Sequence, residues 1–138
     1  MTTITTKSTI RELKAQEVMH QGCITIKSNA TLSEALEKMR KAQVSSLIVE
    51  PREPGDAYGI LSRRDLVDRA FVPGPKRFNF SEHRVYELMT KPLVTISPGL
   101  KVKYAARMMR RANVRRLPVF DGQKMIGMLT DSDIFKRL

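Results

Sequence analysis

At 138 residues, with 41% hydrophobic and 28% charged side chains, the chain has the size and balance of one folded domain in which any duplicated halves share a core; disordered and fibrous classes are excluded. Its longest apolar runs, residues 44–49 and 93–96, fall far short of the roughly 20 residues of a membrane span, and residues 1–14 lack a secretory signal's apolar stretch, so no membrane passage and a cytoplasmic location are expected. A single cysteine, Cys23, excludes an intrachain disulfide and a multi-cysteine metal centre, while 25 Lys and Arg against 14 Asp and Glu give a net charge of +11 that suits an acidic partner.

The predicted elements come in two matching series. Residues 1–12 read as an N-terminal arm. In the first series, residues 23–26 have the length and β-branched content of a strand. Leu32, Ala35, Leu36 and Met39 then recur at helical spacing, with Thr31 and Glu34 in the form of a capping box. Strands are predicted over 44–49 and 59–61, joined by the turn-rich residues 51–56, and a second helix starts near Ser62. Residues 71–81 carry Pro73, Gly74 and Pro75 and break both periodicities, so 71–82 reads as a linker, with Phe71, Phe78 and Phe80 expected to pack down. The second series repeats the order: a strand over 93–96, a helix through Val102, Ala105, Ala106 and Met109, strands over 114–120 and 125–129, and a helix from Thr130.

The two series are a duplication. Shifting the sequence by 70 residues aligns 17–49 with 87–119 without a gap, and 11 of the 33 pairs are identical, among them Met19 with Met89 and Leu47 with Leu117. After a loop two residues shorter, an offset of 68 matches Gly59, Leu61 and Asp65 to Gly127, Leu129 and Asp133. Each repeat, 13–70 and 83–138, is thus β-α-β-β-α. A half of this kind exposes one apolar sheet face that it is too small to cover, so the expected fold is α/β (α+β), with the two sheets packed face to face about a pseudo-two-fold axis and two clefts between the repeats.

Both 59–65 and 127–133 fit the pattern Gly-apolar-apolar-Ser/Thr-x-x-Asp, and Arg115-Arg116-Leu117-Pro118-Val119 precedes the second copy. On these motifs, present twice within a duplicated unit, the chain from about residue 13 onward resembles the CBS domain family, as a tandem pair or Bateman module. By themselves Ser62 with Asp65, and Thr130 with Asp133, are helix N-caps. The resemblance adds that the Asp carboxylates hold ribose and the hydroxyls contact phosphate of an adenine nucleotide: AMP, ADP or ATP, with NAD and S-adenosylmethionine as related adenosyl ligands. It also implies which residues share a cleft. Ser62 and Asp65 would be joined by Leu93, Val94, Val114, Arg115 and Arg116, whereas Thr130 and Asp133 would be joined by Cys23, Ile24, Val44, Ser45 and Ser46. Two arginines in one cleft stand where the other has two serines, so the Asp65 cleft is expected to prefer the more highly phosphorylated ligand.

Between Glu87 and Asp121 the chain has no acidic residue and eight basic ones. This stretch reads either as a solvated face neutralised from elsewhere in the fold or as a surface for an acidic protein or nucleic acid; against nucleic acid, Tyr104 is the only aromatic between Tyr86 and Phe120. His20 and His83 stand alone, and nucleophile and phosphate-loop signatures are absent. The expected function is therefore a non-enzymatic, ligand-sensing regulatory module without a catalytic cofactor, homodimeric as is common in the family, that signals to a partner. The alternative is a basic interaction protein with vestigial clefts.

Overall fold

A computed structural model describes residues 7–71 and 79–138. Along the chain the elements are α1 (Lys7–Glu12), α2 (Ala15–Val18), β1 (His20–Gln21), β2 (Thr25–Ile26), α3 (Leu32–Ala42), β3 (Ser46–Val49), β4 (Gly59–Ser62), α4 (Arg63–Ala70), a 3-10 turn (Val85–Glu87), α5 (Val102–Ala112), β5 (Arg116–Phe120), β6 (Met125–Thr130) and α6 (Asp131–Phe135). They form two compact units interleaved in sequence: the described residues up to Cys23 with Val94–Leu138, and Ile24–Leu93. Among the described residues no helix is long and apolar enough to cross a membrane.

In the unit Ile24–Leu93 the sheet order is β2-β3-β4, with β2 parallel and β4 antiparallel to β3. Strand β3 is buried at Leu47, Ile48 and Val49, while β4 alternates, burying Gly59 and Leu61 and leaving Ile60 and Ser62 half-buried. Helix α3 lays Leu32, Ala35 and Met39 onto Ile26, Leu47, Val49 and Leu61, and Leu66 of α4 and Val85 close the same core. The predicted capping box is present: Glu34 N–H donates to Thr31 Oγ1 at 3.1 Å, and Thr31 N–H to the Glu34 carboxylate at 3.3 Å. Helix α3 stops at Gln43, whose left-handed φ of 54° tips the chain into β3.

The other unit is built on the same plan. Its sheet order is β1-β6-β5, antiparallel throughout. Val102, Ala105 and Met109 of α5 pack with Leu117, Val119 and Leu129, and with Ala15 and Val18 of α2. Helix α5 ends at Asn113 with φ 55°, matching Gln43.

Sequence and structure part in three places. The strand expected over 23–26 is confined to Thr25–Ile26, and its counterpart over 93–96 shrinks to an isolated parallel bridge, Ile96 to Val119. Pro92 and Pro98 bracket that second segment, and neither has an N–H for a ladder bond. Phe71, expected to pack down, is 81% exposed, while Phe80 does pack against the core of its unit; Pro73, Gly74, Pro75 and Phe78 lie outside the described residues. Finally, β1 was not predicted at all. His20 and Gln21 pair with Met128 and Gly127, giving β6 a second neighbour, and in the other unit Thr90 bridges Ile60 in the same way.

These added edge segments explain the matched glycines and methionines. A Cβ on Gly127 would lie 2.5 Å from Met19 Sδ and 2.7 Å from the His20 carbonyl oxygen; a Cβ on Gly59 would lie 3.0 Å from Met89 Sδ and 3.1 Å from the Thr90 carbonyl oxygen. The edge segment leaves no room for a Cβ on Gly127 without a shift, and crowds Gly59 in the same way but less tightly.

Candidate functional site

Each unit carries one strand that runs without a loop into a helix, and the candidate residues sit at that junction. Strand β4 ends on Ser62 and α4 begins at Arg63; β6 ends on Thr130 and α6 begins at Asp131. Such a start leaves the first backbone N–H groups of the helix without intrahelical partners. Here both junctions solve the problem alike. Asp65 N–H donates to Ser62 Oγ at 3.1 Å, and Ser62 N–H to Asp65 Oδ2 at 2.7 Å. Asp133 N–H donates to Thr130 Oγ1 at 3.1 Å, and Thr130 N–H to Asp133 Oδ2 at 3.0 Å. The cap thus uses one oxygen of each carboxylate; among the described residues the other, Oδ1, accepts no hydrogen bond. A pair of vicinal hydroxyls is a chemical match for such an oxygen in a half-buried setting.

Each junction is tied to the segment that enters its neighbouring strand. The Ser45 carbonyl accepts from Arg63 N–H at 2.8 Å, and Ser46 is directly opposite Ser62. In the other unit the Arg115 carbonyl accepts from Asp131 N–H at 2.9 Å, and Arg116 is opposite Thr130. Within units, then, Ser62 and Asp65 go with Val44, Ser45 and Ser46, and Thr130 and Asp133 go with Val114, Arg115 and Arg116. The groupings expected from the resemblance each combine residues of both units. Three expected apolar contacts are exposed: Ile24 at 37%, Val94 at 57% and Val114 at 39%. Leu93 is half-buried, its N–H bonded to the Tyr58 carbonyl at 2.9 Å. Cys23 is half-buried with its thiol donating to the Gly127 carbonyl at 3.1 Å, and burial pushes its pKa up, so it is held as a neutral thiol rather than a nucleophile.

The junctions differ in one respect that sequence reading missed. His20, which stands alone in the sequence, has its Nδ1 2.9 Å from Asp133 Oδ2. Burial tends to raise the Asp133 carboxyl pKa, but the His20 contact and the Thr130 N–H outweigh it and hold the group below the usual carboxylate range. The 70-residue repeat offers the only clue: His20 matches Thr90, and both add to the edge of the strand leading into a junction. His83 is likewise not alone, lying 3.2 Å from Glu87 one helical turn away.

Comparison with known proteins agrees with the duplication. The family model described as CBS domain matches residues 15–71 and 85–138. A CBS domain-containing protein of Dictyostelium discoideum is 32% identical over 130 residues, covering 89% of both chains. Among solved structures, a hexameric CBS-CP12 protein from bloom-forming cyanobacteria is 40% identical with a TM-score of 0.78, over 89% of this chain and 69% of that one. The CBS domain of a bacterial CNNM/CorC family Mg2+ transporter, solved in complex with ATP, shares the fold at 22% identity with a TM-score of 0.73, over 93% of this chain and 88% of that one. The chain spans 63% or less of the length of the first curated relatives it matches. Two family matches on a duplicated α+β chain, each ending in a capped strand-to-helix junction, identify the chain as a member of the CBS domain family that carries a tandem CBS pair.

Proposed function

We propose that this CBS pair is a non-catalytic regulatory module that binds adenine nucleotides and passes their level to a partner. The observation that carries the reading is the pair of capped junctions, each presenting one carboxylate oxygen with no described partner beside a Ser or Thr hydroxyl. The ATP bound by the CBS domain of the CNNM/CorC transporter lends the ligand class. In the proposed arrangement Asp65 and Asp133 accept from ribose hydroxyls, and Ser62 and Thr130 face phosphate. Leu93, Val94, Val114, Arg115 and Arg116 complete the first site; Cys23, Ile24, Val44, Ser45 and Ser46 complete the second. Exposed Val94, Val114 and Ile24 would lose apolar surface to a base. Arg115 and Arg116 bias the first site toward ATP over AMP, since guanidinium groups match phosphate oxygens in charge and geometry. Ligand binding would shift the module toward the state that binds it better, and a homodimer would relay that shift.

Calorimetric titration of AMP and ATP into the wild type, Asp65→Ala, Asp133→Ala and Arg115→Ala tests the reading. Asp65→Ala and Arg115→Ala are expected to weaken ATP more than AMP. Unchanged affinities in all three variants would sink it. A supporting thermal shift has a known size: ligand at 100 times its Kd stabilises the fold by about 2.7 kcal/mol.

A further inference from the structure

The duplication supplies an internal control for surface charge, and helix α5 departs from it. Helices α3 and α5 have the same length, bury the same three positions and end on the same left-handed cap. Their outer faces differ. Where α3 has Glu34, Glu37, Arg40 and Lys41, α5 has Tyr104, Arg107, Arg110 and Arg111. On α3 two acids, Glu34 and Glu37, precede three bases, and Lys41 pairs with Glu37 at 3.2 Å. On α5 every charge is positive. Lys103, Arg107 and Arg111 succeed one another at i, i+4 spacing, a like-charge arrangement that costs helix stability.

Packing relieves only one end of this helix. Glu12 of α1 reaches Lys101 at 2.8 Å and Lys103 at 3.0 Å, which holds its carboxyl at a pKa of about 2. Arg110 and Arg111 make no ion pair among the described residues, and Arg107 has only the Tyr104 ring, with Cζ 5.5 Å from its centroid. The last-turn position of Arg110 and Arg111 suits the helix dipole, but α3 meets that need with Arg40 and Lys41 while keeping Glu37 one turn earlier. The fold therefore does not require Arg107 or the loss of the acid.

We infer that the outer face of α5 is a docking surface for an acidic protein segment, with Tyr104 as its anchor and Arg107, Arg110 and Arg111 as its carboxylate receptors. Tyr104 is 44% exposed and flanked by Lys103 and Arg107, so an arriving acidic segment meets a phenol hydroxyl and guanidinium forks for its carboxylates and a ring for its apolar atoms, the side chains enriched where interfaces derive their energy. The face spans two helical turns, about 10 Å, which fits a segment presenting two or three carboxylates. A single ring gives no platform for successive bases, and Glu12 sets a carboxylate at the end a longer polyanion would have to cross.

This surface uses no residue of the proposed nucleotide sites, so the two ideas fail separately. The test is fluorescence anisotropy at low and high salt with an Ala-rich helical peptide bearing glutamates at i, i+4 spacing, alongside a single-stranded and a duplex oligonucleotide. The wild type and Asp65→Ala are expected to bind the peptide equally. The triple variant Arg107→Glu, Arg110→Glu, Arg111→Glu should lose at least roughly tenfold in affinity, with Arg107→Gln, Arg110→Gln, Arg111→Gln as the milder version if the reversal disturbs folding. A control with the same net charge change on α3, Lys38→Glu with Arg40→Glu and Lys41→Glu, should bind normally apart from a small salt-sensitive loss. Four results would overturn the inference: no peptide binding up to about 1 mM, equal losses in the α3 control, tighter binding of oligonucleotide than peptide, or a change in oligomeric state of the triple variants without loss of peptide binding.

Discussion

The imidazole Nδ1 of His20 lies 2.9 Å from the carboxylate of Asp133, 113 residues further along the chain. Because an ionised carboxylate only accepts hydrogen bonds, Nδ1 carries the proton of this contact. The same Asp133 oxygen also takes the Thr130 N–H, so this junction is held more firmly than its counterpart, where Thr90 stands at the position of His20.

A pH dependence follows. Folding holds the Asp133 carboxyl below its ordinary value of 3.8, so the unfolded chain takes up this proton more readily. The ionised group therefore stabilises the fold above about pH 4, and that contribution is lost as pH falls through its folded value. Asp133→Asn should be less stable than wild type by about 1 kcal/mol at pH 7. Urea unfolding at pH 7, 5 and 3 should show this gap persisting at pH 5 and narrower at pH 3; a gap that stays constant would refute the assignment.

Gly127→Ala should cost more than Gly59→Ala, although the two glycines occupy matching positions. The new methyl on Gly127 would meet the His20 carbonyl at 2.7 Å, a backbone atom of a paired strand, whereas on Gly59 the matching approach is 3.1 Å. Overpacking of this kind costs roughly 1–3 kcal/mol, with Gly127 at the upper end. Adding Met19→Ala should recover only part of the loss, since the carbonyl stays in place; full recovery would mean the methionine alone sets the limit.

The hydroxyl caps should separate structural from ligand roles. Ser62→Ala and Thr130→Ala are each expected to lose about 1 kcal/mol, whereas Ser62→Asn keeps the cap because Asn ranks with Ser at that position. If Ser62 also touches phosphate, Ser62→Asn will unfold like the wild type in urea yet bind ATP more weakly. A fully stable variant with wild-type ATP affinity would leave Ser62 a cap and nothing more.

Glu12 should govern how firmly α1 is held. Its carboxyl sits near pKa 2 because Lys101 and Lys103 both donate to it, so its stabilising contribution is present above its ordinary 4.5 and fades as pH falls toward 2. All three groups are solvent-accessible, and salt must weaken them. Hydrogen exchange of the α1 amides is expected to quicken in Glu12→Gln and in wild type at high salt, with core amides such as those of Leu117 and Val119 unaffected. Equal exchange in both proteins would show that apolar contacts alone hold the helix.

Much of this protein is decided by short-range chemistry and so could be read from the chain. The i, i+3, i+7 spacing of Leu32, Ala35 and Met39, the Thr31 to Glu34 box and the Ser62-x-x-Asp65 and Thr130-x-x-Asp133 caps each link a residue to one about a helical turn away, a distance the local backbone sets by itself. The 70-residue repeat then extended each local reading to a second copy. Tertiary structure decided what joins distant segments: β1 on the edge of β6, Met19 over Gly127, His20 on Asp133, and Glu12 between Lys101 and Lys103. A sequence carries no periodic trace of such contacts, because they depend on which strand edge is open and which face of a helix is covered. For the same reason the basic stretch read as a single run divides in the fold into lysines paired with Asp56 and Glu12 and a face of arginines, Arg107, Arg110 and Arg111, that meets no acid among the described residues.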